Sequence, residues 1–222
     1  MAGRFSDEYF TKDLPDRVAE MGHRQFVGGF SDENWYGIGK LQYHTLVAEG
    51  LRPDHVFFDI GCGPLRLGQY LIPYLEEGRY HGLDMVEDLI RLGAAREFFA
   101  DIIAIKQPRF FINEAFCFDP APLFDYAFAQ SLLTQEDAGR CLRALRGKAH
   151  DHSKLYVTFF EATGDRPANP EGPSDPNRNW FYSREEMMVL SAAEGWHFDY
   201  IGDWNHPANQ MLVRLRPAGA ER

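Results

Sequence analysis

Cysteine is scarce in this chain. Only 3 occur in 222 residues, Cys62, Cys117 and Cys141, far apart and without a CxxC or a Cys/His cluster. An odd, dispersed set of thiols argues against a disulfide framework and a structural zinc site, so no metal is expected. Basic runs are absent too: 23 Lys and Arg stand against 33 Asp and Glu, a net charge of −10. A nucleic-acid binder ordinarily carries a Lys/Arg patch that displaces counterions from phosphate. The nearest approach, Arg140, Arg143, Arg146 and Lys148, has helical spacing and reads as a solvated helix face. No stretch of 18 apolar residues exists, and residues 1–24 are polar and mixed in charge. Neither a membrane span nor a secretory leader is expected. These absences point to a cytoplasmic protein with a small-molecule partner, no nucleic acid and no membrane, as a monomer or homodimer.

What is present suits one domain with a modest embellishment. Hydrophobic residues make up 45% and aromatics 14%, enough for a sizeable core. Ser31-Asp32-Glu33-Asn34 offers caps for a helix over residues 35–49, ended by Gly50. Val56-Phe57-Phe58-Asp59-Ile60 is a short apolar run, as for a strand buried on both faces. A helix is expected from Pro64 to Glu77, kinked or shortened by Pro73, then a strand ending at Asp84 and a helix from Glu87 to Phe99. Further strands are expected at 109–112, 126–130, 154–161, 196–201 and 210–215, with helices over 136–149 and from Ser183 to Glu194. Glu186 is placed to complete a capping box with Ser183. The alternation predicts an α/β fold, a doubly wound, mostly parallel seven-stranded sheet whose last strand runs antiparallel. Residues 1–50 form an N-terminal extension with a lid helix, and 51–222 the main domain. The segment 163–179, dense in Pro, Gly, Asn and Asp, reads as a long functional loop.

The strongest motif is Asp59-Ile60-Gly61-Cys62-Gly63, directly after a buried strand and directly before a helix. Ligands of such folds bind outside the carboxyl ends of the strands, and glycines let backbone and ligand approach closely. A dinucleotide loop would carry a third glycine and no carboxylate beside the pyrophosphate; here Leu65 and Asp59 stand instead. Asp59 can accept from the ammonium of a bound amino acid, and Asp84 from both ribose hydroxyls. The ligand suggested is an adenosine joined to an amino acid. Cys62 is read as a small residue filling the loop. Arg66, on the first turn of the next helix, opposes its dipole and calls for an anionic partner.

The blocks VFFDIGCGPLRLG (56–68), YHGLDMVEDLI (80–90) and FDYAFAQSLLTQ (124–135) resemble the class I S-adenosylmethionine-dependent methyltransferases, most closely a bacterial group whose glycine loop reads DIGCG followed by Leu-Arg. The resemblance spans roughly residues 35–215. It implies a Rossmann-like fold, S-adenosylmethionine as cofactor and S-adenosylhomocysteine as product. By that resemblance Asp59, Gly61, Cys62 and Gly63 would line the methionine end, with Arg66 on its carboxylate. Asp84 would hold the ribose and Met85 pack on the adenine. Asn113, Glu114, Ala115 and Phe116 would flank that ring, while Gln130 and Ser131 would lie under the sulfonium. Where many relatives place Asp for the adenine amino group this chain has Asn113 and Glu114, and it has Gln135 where many have His.

Methyl transfer is an in-line displacement that needs positioning more than covalent help. A base matters only for a hydroxyl or protonated-amine acceptor, and Glu161 and His206 are the candidates. Tyr36 and His44 on the leading segment, and Trp180 and Tyr182 after the long loop, are candidates for contact with the acceptor. The reading is O- or N-methylation of a small molecule, of natural-product or sugar type. The alternative is a non-catalytic binder of S-adenosylmethionine or S-adenosylhomocysteine with the same fold.

Overall fold

A run of apolar residues with no alternation forms a strand only where both faces are covered, and Phe57–Ile60 (β1) is buried at every position. The computed structural model describes residues 18, 20–99, 101–131, 135–162, 164, 169 and 180–219, without the side chains of 135–137. Tyr80–Asp84 (β2) and Phe124–Ala129 (β4) flank β1 in parallel. Arg109–Ile112 (β3) adds in parallel outside β2, and Ala149–Glu161 (β5) outside β4. The two closing strands, Trp196–Asp203 (β7) and Met211–Pro217 (β8), form an antiparallel pair, with β8 antiparallel to β5 as well. The sheet order is β3-β2-β1-β4-β5-β8-β7. The expected mostly parallel sheet with its last strand antiparallel is what the chain forms. The chain leaves β1 toward β2 on one side and returns to β4 on the other, which opens a crevice above the carboxyl end of β1.

Successive residues of β1 face opposite layers. Phe58 and Ile60 pack with Cys141, Leu142 and Leu145 of Gln135–Arg146 (α6) and with Met187 of Arg184–Ala193 (α7). Phe57 packs on the other layer with Leu46 of Ile38–Ala48 (α2) and with Leu71 and Ile72 of Gly68–Tyr74 (α3). Asp59 shares that second face, a carboxylate where the pattern has an apolar side chain. Glu87–Arg96 (α4) and Ile102–Lys106 (α5) complete the helices after β2. Ahead of α2 stand His23–Phe26 (α1) and a π-helical turn, Glu33–Gly37. Ser183 and Glu186 form the expected capping box on α7, worth about 1 kcal/mol.

Three local expectations change. The helix expected from Pro64 begins only at Gly68, because Leu65 takes a left-handed φ of 65°, which no helical turn accommodates. Arg66 therefore sits in the turn ahead of the helix and not on its first turn. The segment 33–49 is a π-turn followed by an α-helix. Phe181–Tyr182 is a short strand (β6) paired with Phe160 and Glu161, so Trp180 and Tyr182 are buried beside β5. Among the described residues no helix is long and apolar enough to cross a membrane. Most of the loop 163–179 lies outside the described residues.

Candidate functional site

The loop after β1 folds over the end of β2. The N–H groups of Gly61 and Cys62 both donate to Leu83 O, at 2.7 and 3.0 Å. Gly61 and Gly63 take φ values of 71° and 48°, a region open to glycine and costly for any residue with a Cβ. Gly93 of α4 serves the same loop from behind, since a Cβ there would lie 2.4 Å from Pro64 O. The loop is thus pinned on both sides, by β2 in front and by α4 behind.

Two carboxylates stand at the loop and differ in their partners. Asp84, at the end of β2, accepts from Gly63 N through Oδ2 and from Val86 N through Oδ1, both at 2.9 Å. Burial raises its pKa, and these N–H groups moderate the rise. Asp59 is buried and accepts the Tyr80 hydroxyl at 2.6 Å. Burial pushes its carboxyl up to about 7, against the pull of that hydrogen bond, while the negative charge of Asp84 adds to the rise. Cys62 packs its Sγ against Gly82, and burial pushes its thiol well above the usual range.

Arg66 is the unusual group. Its Nη2 donates to Val27 O at 2.6 Å, and its guanidinium lies 5.2 Å from the Trp35 ring centroid. Among the described residues its buried Nε has no hydrogen-bond partner, and no carboxylate pairs with it. Burial lowers its pKa to about 10, so it stays a cation at neutral pH. A buried cation without a counter-ion among the described residues is expensive.

A strap, residues 22–30, crosses this region. Phe26 and Val27 pack with Met85 against Val86 and Leu89, and Val27 Cγ1 lies 3.8 Å from where a Gly63 Cβ would be. Glu97, just past α4, fastens the strap. Its carboxylate takes Nε and Nη2 of Arg24 at 2.8 and 2.7 Å, His23 Nε2 at 2.5 Å and Trp35 Nε1 at 3.3 Å. Burial alone would raise this carboxyl, but the bonds from Arg24 and His23 outweigh it and hold it below the usual range. A cleft of about 350 Å³, lined by His23, Arg24, Phe30, Trp35 and Arg96 among others, opens beside the strap; no residue of the glycine loop lines it.

Beyond the loop, the end of β4 gathers polar side chains. Gln130 meets Gln42 of α2 at 2.6 Å and His206 at 3.2 Å. Ser131, with φ 58°, donates its N–H to Thr158 Oγ1 and contacts Gln210 at 2.6 Å. His206 is buried in the turn between β7 and β8; burial, with the nearby Arg66 charge, pushes its pKa down to about 4. It is therefore neutral at pH 7, and both ring nitrogens have neighbours, Gln130 and Ala208 N.

The remaining candidates lie apart from this gathering. Glu161 is closed by Arg184 at 3.1 Å and the Tyr200 hydroxyl at 2.5 Å, roughly 10 Å along β5 from Thr158. Asn113 spends its amide locally, accepting from Ala115 N and Cys117 N and donating to Cys117 O. Glu114 and Ala115 are exposed, and the Phe116 ring belongs to the core with Phe118. Tyr36 is exposed beneath Arg24, whose guanidinium lies 4.9 Å from its ring centroid. His44 is exposed, roughly 200° around α2 from Gln42, and stacks edge-on with Tyr43. Trp180 and Tyr182 sit in the core under α7, with Trp180 Nε1 lacking a partner among the described residues. Sequence reasoning missed the Val27 carbonyl, Thr158, Gln210 and the Glu97 clamp. Gln42 is buried one turn beyond Gly39, where a Cβ would meet Arg66 O at 2.6 Å.

No family pattern matches the chain, and no curated protein matches it in sequence. Solved structures do share its fold. A magnesium protoporphyrin IX methyltransferase from Synechocystis, with SAH bound, superposes with a TM-score of 0.62 at 16% identity over 95% of this chain and 97% of that one. An S-adenosylmethionine-dependent methyltransferase from Clostridium acetobutylicum gives 0.63 at 9% identity, covering 93% and 100%. Human N-acetylserotonin methyltransferase, in complex with SAM, gives 0.64 at 15% identity, covering 94% of this chain and 59% of that one. The fold is therefore the α/β fold of these S-adenosylmethionine-dependent methyltransferases.

Proposed function

We propose that this chain binds S-adenosylmethionine in the crevice above β1 and transfers its methyl group to a small molecule, at oxygen or nitrogen. The observation that carries the reading is Arg66, a buried guanidinium with an unpartnered Nε beside a glycine loop capped by Asp84. The residues fit the cofactor group by group. The Arg66 cation suits the methionine carboxylate. Asp59, poised to ionise near pH 7, suits the ammonium, and Asp84 suits the ribose hydroxyls. Met85 supplies an apolar side chain for the adenine, and the backbone of residues 113–116 borders the same end; Gln130 and Ser131 border the methionine end. Against a dinucleotide stand Leu65, in place of a third glycine, and Asp59, whose carboxylate would repel a pyrophosphate.

Bound there, the cofactor supplies an electrophilic methyl group, and the protein supplies orientation and exclusion of water. The strap of residues 22–30 is the lid in this reading. It covers the loop, contributes the Val27 carbonyl to Arg66, and is released or held by the ion pair at Glu97. Neither Glu161 nor His206 is needed as a base. Glu161 is neutralised by Arg184, and a histidine with a pKa near 4 is a weak proton acceptor at neutral pH. Tyr36 is kept as a candidate wall of the acceptor site; Trp180 and Tyr182, buried in the core under α7, and His44, turned to solvent, are not.

The test is release of labelled methyl groups from S-adenosylmethionine to a panel of hydroxyl- and amine-bearing metabolites, beside Arg66→Met. Turnover that falls at least tenfold in the variant supports the reading. Tight cofactor binding with no transfer to any acceptor would favour the non-catalytic binder.

A further inference from the structure

Gln42, Gln130 and His206 form a line at the carboxyl end of β4, closed at its far end by the N–H of Ala208. The contacts are 2.6 Å between the amides of Gln42 and Gln130, 3.2 Å from Gln130 to His206 Nε2, and 3.2 Å from Ala208 N to His206 Nδ1. Gln42 and His206 are only 5% and 4% exposed, and the outer amide atom of Gln42 has no partner among the described residues.

The direction of every hydrogen bond in this line follows from its fixed end. A backbone N–H can only donate, so Nδ1 must accept and carries no proton. A neutral imidazole has one N–H, which then lies on Nε2. Nε2–H needs an acceptor, and the group facing it is the amide of Gln130. Turning an amide by 180° exchanges its oxygen and nitrogen with no change of shape. With Gln130 Oε1 toward His206, its NH2 faces Gln42 and requires Oε1 of Gln42 there. All three contacts are then satisfied. The opposite arrangement sets the ring N–H against the N–H of Ala208, donor against donor. The consequence appears at the open end: the unpartnered atom of Gln42 becomes its NH2. Arg66 Nε is a second buried donor without a partner among the described residues. Its backbone touches α2 one turn before Gln42, and its charge is felt at His206.

We infer that His206 is a positioning residue: held as the Nε2–H tautomer by Ala208, it turns Gln130 and through it Gln42, so that Gln42 and Arg66 together donate to the carboxylate of the bound cofactor. This rests on the cofactor reading above, and its first test does not need a cofactor. Nitrogen-15 spectra of the full chain at pH 7, with His206 assigned by comparison with His206→Phe, should show a protonated Nε2 and an unprotonated Nδ1. A protonated Nδ1 would overturn the relay whatever the chain binds.

The second test compares S-adenosylhomocysteine with 5′-methylthioadenosine, which lacks the amino-acid end. Gln42→Leu and His206→Phe should each weaken S-adenosylhomocysteine about tenfold and leave 5′-methylthioadenosine unchanged. The double variant should lose little more than either single one, because the two residues act in series. Equal losses for both ligands, or additive losses, would overturn the carboxylate assignment. Failure of the wild-type chain to bind either ligand would remove that assignment together with the cofactor reading, and would leave the tautomer result standing alone.

Discussion

The Tyr80 hydroxyl donates a 2.6 Å hydrogen bond to Asp59 Oδ2, one strand across and beneath the glycine loop. That single bond does not offset the burial of the carboxylate, whose pKa rises from 3.8 to about 7. A carboxyl with a raised folded-state pKa holds its proton more tightly folded than unfolded. Between the two values the folded chain carries one proton more, so stability falls as pH rises, by about 1.4 kcal/mol per pH unit at most. Above about 7 this contribution levels off. Asp59→Asn should remove that slope, so urea unfolding at pH 5, 6, 7 and 8 should show the variant gaining on the wild type up to pH 7. A stability difference independent of pH would contradict the assignment.

The same carboxylate gives a ligand prediction. Ionised Asp59 favours a cationic ligand, so the affinity for S-adenosylmethionine should rise through pH 7 and that of Asp59→Asn should not. Calorimetric titrations at pH 6 and 8 measure this directly.

Gly63 and Gly93 separate the cost of strain from the cost of crowding. Gly63→Ala meets nothing closer than Val27 Cγ1, at 3.8 Å, and suffers from its φ of 48°, a penalty of about 1–2 kcal/mol. Gly93→Ala drives a methyl group into the backbone of Pro64 and should cost about 1–3 kcal/mol while displacing the loop. Both should impair cofactor binding. Thermal unfolding should rank Gly93→Ala as less stable whenever α4 cannot yield, and equal melting temperatures would show that it yields.

Glu97→Gln tests the strap. The Glu97 side chain is 2% exposed while Arg24 is about a third exposed, so the loss should be smaller than for a fully buried pair, about 1–3 kcal/mol. The variant should release S-adenosylhomocysteine faster in stopped-flow displacement and be cleaved more readily near Gly28 and Gly29. Unchanged dissociation would mean that the strap does not govern access.

The sheet and the loop were legible because they rest on local, strong signals. Phe57 to Ile60 reads as a doubly buried strand, Gly61 and Gly63 as a turn requiring left-handed backbone, and Ser183 with Glu186 as a capping box. What escaped depends on contacts distant in sequence. Nothing local tells that Leu65 will take φ 65° and delay α3, or that Phe181 and Tyr182 will pair with β5. For Arg66 the sequence called for an anionic partner on helix-dipole grounds, whereas the side chain lies in the turn ahead of α3, buried against Trp35 under the strap with no carboxylate paired to it among the described residues. Glu161 and His206 looked available as bases in sequence because the partners that occupy them, Arg184, Tyr200 and Gln130, arrive from other elements.

The ligand proposed for the crevice above β1 is an adenosine joined to an amino acid. Isothermal titration of the wild-type chain and of Asp84→Ala with S-adenosylhomocysteine and with NAD measures it most directly. The wild type should bind S-adenosylhomocysteine and not NAD, and Asp84→Ala should lose that binding by a factor of roughly 100, as expected when a paired ribose contact is removed. Binding of NAD alone, or an affinity untouched by Asp84→Ala, would contradict it.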